Sequence, residues 1–267
     1  EPVTFGEEDG LSGGTWTPQN SDGKYSYQNM KMRRAMGLSI NSISAKLMKQ
    51  LGPDKIAEFA HKCGIESPLH EVPSLCLGAS EVSLFEQVSG YSTLANGGEK
   101  IDPILVLRIT DKVGNVLREY SPPVKAAIKP ETAYLMTYML QGAVQEPGGT
   151  AEGLKRTSIV AGNEIGAKTG TTSNYSDGWF MGVTQKLVAG VWVGGDDRSI
   201  HFRSLALGQG AKMAMPAYAK FMEKVYADQT LAIEGYRKMP FIKPENFAFD
   251  FSCNGRVAVD STATIAP

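Results

Sequence analysis

Ile165-Gly166-Ala167-Lys168-Thr169-Gly170-Thr171, Gly178-Trp179-Phe180-Met181-Gly182-Val183-Thr184-Gln185 and Val188-Ala189-Gly190-Val191-Trp192-Val193-Gly194 read as three strands in succession. The short Gln185-Lys186 link makes the last two antiparallel neighbours. Along the first strand alternate side chains share a face, so Lys168 and Gly170 fall on one side and Thr169 and Thr171 on the other. A strand of this kind can offer its backbone to a peptide laid alongside. Gly170, without a side chain, leaves room for close approach. A lysine in the same cleft can hold a carboxylate or tune a proton transfer. The plainer alternative makes Lys168 a solvated strand-end lysine and Gly170 a bulge. The Thr171-Thr172 pair and the Trp179-Phe180 pair on the next strand add weight to the functional reading.

Working outward, residues 215–227 form a helix expected to pack across this sheet. Residues 130–145 are helical, with Leu135, Met139 and Ala143 recurring on one face. Residues 104–110 and 115–120 alternate around a turn containing Gly114 and read as a hairpin. Ser83-Leu84-Phe85-Glu86 fits a capping box within a helix ended by Gly97-Gly98. Pro53 opens a short helix that Gly64 closes. Residues 30–51 are helical on both sides of a break at Ser39, Asn41 and Ser42, residue types that favour caps and turns. The second of these helices is expected to start with Asn41 or Ser42 near its N-cap and to stop at Gly52-Pro53. Residues 1–28 carry loop chemistry. The fold class is therefore α/β of the α+β type, an antiparallel sheet flanked by helices. Residues 1–227 are expected to form the domain and 228–267 an extension, with Pro240 onward a poorly ordered or separately used tail.

The 267 residues suffice for a sizeable core, and 42% apolar with 21% charged residues is ordinary for a soluble globular chain. A net charge of −1 gives no reason to expect nucleic acid or an anionic membrane as partner. The longest apolar run, from Leu187 to Val193, falls far short of the roughly 20 residues that span a bilayer. The chain opens on Glu1 without a signal-peptide pattern, so any membrane anchor is expected outside it. Cys63, Cys76 and Cys253 make no disulfide framework and are expected as buried free thiols. His61, Cys63, His70 and Cys76 lack the spacing of a structural zinc site, so neither a metal nor a cofactor is expected.

Ser39 and Asn41 are the other polar group of interest. A serine hydroxyl donates and accepts together and can relay a proton, while an asparagine amide can serve a substrate carbonyl and a lysine in one pose. Helix capping is the competing explanation. Ser39-Ile40-Asn41 with Lys168-Thr169-Gly170 supplies two of three motifs whose joint appearance marks penicillin-binding proteins and class A β-lactamases. Leu77-Gly78-Ala79-Ser80-Glu81-Val82 leads on to Tyr91-Ser92-Thr93-Leu94-Ala95-Asn96-Gly97-Gly98. Gly148-Gly149-Thr150-Ala151, Asp177-Gly178-Trp179-Phe180-Met181-Gly182 and Gly190-Val191-Trp192-Val193-Gly194 then follow in order. With these landmarks, residues 1–227 resemble the transpeptidase domain of bifunctional, class A penicillin-binding proteins.

The resemblance implies a penicillin-binding protein or serine β-lactamase-like fold and a serine acyl-transfer site. Ser39 would be the proton-relay serine, and Asn41 would orient the acyl side of the substrate. Lys168 would support Ser39 and attract the terminal carboxylate of a D-Ala-D-Ala stem peptide. Thr169 and Thr171 would bind that carboxylate or its β-lactam counterpart across the small Gly170. The Thr171 N–H would form half of an oxyanion hole. Trp179 and Phe180 are expected to pack the sheet. The third motif, Ser-x-x-Lys with the nucleophile, is expected upstream of Glu1, so the fold reads as truncated at its N-terminal side and the site as incomplete. The one Ser-x-x-Lys present, Ser21-Asp22-Gly23-Lys24, lies among Pro, Asn and Gly, too close to Ser39 for the family spacing.

The implied activity is peptidoglycan D,D-transpeptidation and β-lactam binding at the outer face of the bacterial cytoplasmic membrane, with a glycosyltransferase domain possible upstream. Two alternatives stay open: a D,D-carboxypeptidase or β-lactamase, and a non-catalytic module that recognises stem peptides or penicillins. A Ser/His/Asp hydrolase is set aside because no Gly-x-Ser-x-Gly accompanies His61 or His201. No glycine-rich stretch ends in the Gly-Lys-Ser/Thr of a phosphate loop.

Overall fold

The break between the first two helices is written in the backbone. In the computed structural model, which describes residues 1–245, 247–249 and 251, α1 (Met32–Gly37) ends just before Ser39, whose φ is 55°. A left-handed backbone is uncommon for a residue that carries a β-carbon. Two amides brace it, Ser39 N–H to the Met36 carbonyl and Ile40 N–H to the Ala35 carbonyl, each at 3.0 Å. α2 (Asn41–Leu51) then starts without a side-chain cap from its own sequence. The helix begins at Asn41, as expected, and its N-terminal amides are served from elsewhere: Asn20 of the N-terminal loop accepts the Ser42 N–H at 3.0 Å.

α1 is anchored by close backbone contact. A β-carbon on Gly37 would lie 2.6 Å from the Gly142 carbonyl, and one on Gly142 would lie 2.6 Å from the Arg33 carbonyl. Arg33 ties the same junction, donating to the Tyr138 carbonyl at 3.1 Å and pairing with Glu146 at 2.7 Å. The Thr150 N–H adds a bond to the Gly37 carbonyl at 3.0 Å. Ser39 thus hangs from a helix end held on several sides.

Next come α3 (Pro53–Cys63) and α4 (Leu84–Ala95). The predicted capping box on α4 is present: Ser83 Oγ accepts the Glu86 N–H, and the Glu86 carboxylate accepts the Ser83 N–H. β1 (Glu99–Ile101) and β4 (Val124–Ala126) form one antiparallel ribbon, and β2 (Arg108–Thr110) with β3 (Val116–Glu119) forms the expected hairpin between them. α5 (Pro130–Leu140) and α6 (Gly142–Gln145) follow. Of the expected face of Leu135, Met139 and Ala143, Ala143 is fully buried, while within α5 the buried residues are Ala133, Thr137 and Leu140. The reason is contact with the sheet backbone: a β-carbon on Gly166 would meet Leu140 Cβ at 3.0 Å and the Thr137 carbonyl at 3.4 Å.

β5 (Gly166–Thr171), β6 (Asp177–Val183) and β7 (Val188–Gly194) form an antiparallel sheet in that order, with Thr169 opposite Phe180 and Trp179 opposite Trp192. Beyond it lie α7 (Leu205–Gly208), α8 (Gly210–Met213), α9 (Met215–Ala227) and α10 (Gln229–Ile233). α9 packs on one face, where Ala167, Phe180, Tyr218 and Met222 are fully buried. Leu140, Val183 and Phe241 form a second cluster with residues of α4 and α5. Burying side chains of this size contributes about 1.5–3 kcal/mol each. The result is the antiparallel sheet between helices that the pattern predicted.

The segment from Pro240 onward departs from the expected separate tail as far as it is described. Phe241 is buried, its N–H bonds Glu164 at 2.9 Å, and the Ile242 N–H bonds Gln185 at 2.7 Å. Phe247 stacks edge-on to Tyr134 at 5.0 Å. Residues 252–267, Cys253 among them, lie outside the described residues. Cys63 and Cys76 are free thiols, Cys63 buried and Cys76 partly so, and burial pushes the Cys76 thiol up to about 11. Among the described residues no helix is long and apolar enough to cross a membrane.

Candidate active site

β5 is an edge strand of its sheet, paired only with β6 among the described residues. The Thr172 N–H turns inward to the Asp177 carbonyl at 3.2 Å. Amide groups alternate along a strand, so the Thr171 and Thr169 backbone groups turn outward to the open edge. Lys168, on the face toward α1, bridges outward and back. Its Nζ donates to Ser39 Oγ at 2.8 Å and to the Thr169 carbonyl at 2.7 Å. Two residues 129 positions apart in sequence thereby share one proton-bearing contact. Both partners are neutral oxygens. With no counter-charge beside it, burial pulls the Lys168 ammonium down to about 8.

Thr171 is exposed, and its Oγ1 accepts the N–H of Gly210, the first residue of α8, at 3.0 Å. That bond occupies an acceptor site and leaves the hydroxyl proton available to an anion. Gly210 is required by space: a β-carbon there would stand 2.4 Å from the Trp179 carbonyl oxygen and 2.5 Å from that of Gly170. Thr169 is partly buried, and its hydroxyl has no bond within the described residues. Gly170 faces Trp179, whose Cβ would sit 3.0 Å from an added β-carbon. The room on that face of the strand is therefore taken by an indole. Phe180 is core, as expected, and Trp179 lies beside Trp192 at 6.4 Å.

Asn41 is placed differently from Ser39. Its Nδ2 donates to the Gln19 carbonyl at 2.8 Å, tying it to the N-terminal loop, and it makes no bond to Lys168. The structure thus joins Ser39 with Lys168 and Thr171 with α8, and leaves Asn41 alongside. Ser21 to Lys24 form a tight turn, with the Gly23 N–H on the Asn20 carbonyl at 2.8 Å and Gly23 at φ 68°. No helix presents Ser21 to Lys24. Asn20 and Gly210 are site supports that sequence reasoning missed, since each acts only across a long chain separation.

The family profile described as "Penicillin binding protein transpeptidase domain" matches residues 4–198. The chain belongs to the penicillin-binding protein transpeptidase domain family, a cell-wall family and antibiotic target. It is 31% identical over 252 residues to penicillin-binding protein 1A of Aquifex aeolicus (strain VF5), covering 92% of this chain and 33% of that protein. It is 33% identical over 213 residues to penicillin-binding protein 2D of Bacillus subtilis (strain 168), covering 79% of this chain and 30% of that protein. Among solved structures, penicillin-binding protein 1A from Haemophilus influenzae aligns with a TM-score of 0.76 at 25% identity, over 91% of this chain and 39% of that one. The chain thus spans about a third of the length of these relatives.

Proposed function

We propose that this chain is the greater part of a D,D-transpeptidase domain of the class A type. The whole protein would cross-link peptidoglycan stem peptides through an acyl-serine and bind β-lactams. It would work at the outer face of the bacterial cytoplasmic membrane, with the anchor and any glycosyltransferase domain outside this sequence. The observation that carries the reading is the 2.8 Å contact between Lys168 Nζ and Ser39 Oγ beside an open strand edge. A lysine titrating at about 8 can hold a carboxylate as the ammonium and take up a proton as the amine within one pH unit of neutrality.

In this reading Ser39 relays a proton between the nucleophile and the leaving amine. Lys168 sets the polarity of the Ser39 hydroxyl and draws in the terminal carboxylate of the D-Ala-D-Ala stem. Thr169 and Thr171 donate their hydroxyl protons to that carboxylate, and the Thr171 N–H faces the developing oxyanion. Gly170 makes room for the Trp179 indole, and the backbone of β5 on either side of it meets the substrate strand along the open edge. Asn41 orients the acyl side once its amide leaves Gln19. The nucleophile belongs to a Ser-x-x-Lys segment that this sequence does not contain in usable form.

The test is acylation by fluorescent penicillin in a protein that carries the Ser-x-x-Lys segment together with these residues. Ser39→Ala and Lys168→Ala are each expected to slow acylation by about 10²-fold or more, the scale of a lost acid–base group, with far-UV circular dichroism unchanged. Acylation at the parent rate in both variants would remove the role assignment.

A further inference from the structure

Away from the β5 edge, a pocket of about 390 Å³ opens between the end of α3 and the β1–β4 ribbon. It is lined by His61, Lys62, Lys100, Lys125, Ala126 and Ala127. Every ionisable side chain in that lining is basic. His61 and Lys62 have an ordinary explanation, since cations in the last turn of a helix complement its dipole. Lys100 and Lys125 do not. They are direct cross-strand partners, and like charges placed opposite each other on a ribbon are destabilising.

Lys62 and Lys100 have exposed acidic neighbours, Glu58 at 2.8 Å and Asp102 at 3.2 Å. The Lys62–Glu58 pair is exposed on both sides and contributes little, and the Asp102 carboxylate is half-exposed, so either acid can give way to a better anion. Lys125 makes no ion pair or hydrogen bond within the described residues. His61 gives its Nδ1 hydrogen to the Ile65 carbonyl at 2.7 Å, so Nε2 is the ring nitrogen left for the pocket. Lys100 is held in place, its side chain only 16% exposed.

We infer that this pocket binds a phosphoryl group. The donors are three ammonium point charges, with no guanidinium among them. A planar carboxylate is best matched by the flat fork of arginine, whereas a tetrahedral multiply charged anion suits several lysines converging from different sides. The lysines come from two strands and one helix, which gives that convergence. The phosphoryl group can come from a free diphosphate or from a lipid headgroup.

Calorimetric titration of the chain with sodium pyrophosphate, at constant ionic strength, tests the site. One-to-one binding is expected, weakened about tenfold in Lys125→Ala, the scale of one charge-assisted hydrogen bond. Lys112→Ala, an exposed charge in the β2–β3 turn, should bind as the parent does. Absence of saturable binding, equal affinity for acetate, an unaffected Lys125→Ala, or an equal loss in Lys112→Ala would each overturn the inference. Sedimentation with vesicles containing phosphatidic acid, whose phosphomonoester headgroup is multiply charged, separates the sources once pyrophosphate binding is seen. Sedimentation that Lys125→Ala abolishes assigns a lipid headgroup, and none assigns a free phosphoryl compound.

Discussion

Lys168 pairs a cost in stability with the role in chemistry that we propose for it. Its folded pKa of about 8 lies below the ordinary lysine value of 10.5, so the unfolded chain keeps the proton longer. Stability therefore rises with pH between about 8 and 10.5, and below about 8 the burden of the buried charge is felt in full. Lys168→Met is expected to raise unfolding free energy at pH 7 by about 1–2 kcal/mol while removing carboxylate affinity, measured by urea denaturation and ligand titration. In the unaltered chain, affinity for a D-alanyl carboxylate should fall as pH passes about 8, because the amine no longer attracts the anion. An affinity flat across that range would show that the carboxylate is held by the threonines alone. Ser39 and Lys168 stand out from their motifs, and it is the family resemblance that implies Lys168 supports Ser39; spacing alone does not bring together two side chains 129 positions apart. The amide of Asn41 was legible as a polar group at a helix break, and its bond to Gln19 was not.

At the scale of elements, what was local was legible. The sheet of β5, β6 and β7 shows in the alternation of its strands and the short links between them, and α9 shows in its own periodicity. The α4 capping box was also visible as Ser83 and Glu86 at the right spacing. Glu86 is held down to about 2 by the N–H groups and hydroxyls of Ser83 and Ser67. Its contribution is thus complete above its ordinary pKa of 4.5 and lost as pH falls through about 2. Ser83→Ala should cost about 1 kcal/mol at pH 7 and progressively less as acid protonates Glu86, which a pH series of chemical denaturation would read. The buried face of α5 is not written in its apolar periodicity, because it is set by the close approach of Thr137 and Leu140 to Gly166 of the sheet. Gly210 belongs to the same class of hidden constraint, 39 residues from the Thr171 it serves. Gly210→Ala is expected to destabilise the fold by about 1–3 kcal/mol, the cost of overpacking against backbone, and to weaken carboxylate ligands beyond that loss. Unchanged stability would mean that α8 can shift without consequence.

Across the whole molecule, α9 and the stretch around Phe241 close the sheet on different sides. The second closure was invisible in sequence because its bonds are irregular: Glu164 and Gln185 each accept one N–H from a stretch with no period. Phe241→Ala should cost about 3–5 kcal/mol, as for other fully packed phenylalanines, and a thermal melt would detect it. The family assignment rests on this whole arrangement and on the match over residues 4–198. The central claim is narrower: Ser39 is a relay beside Lys168 and not itself the nucleophile. Intact mass after incubating the 267-residue chain with excess fluorescent penicillin tests it most directly. The account predicts no adduct. A stoichiometric adduct mapped to Ser39 would contradict it, making that hydroxyl the acylated group and Lys168 its activating base.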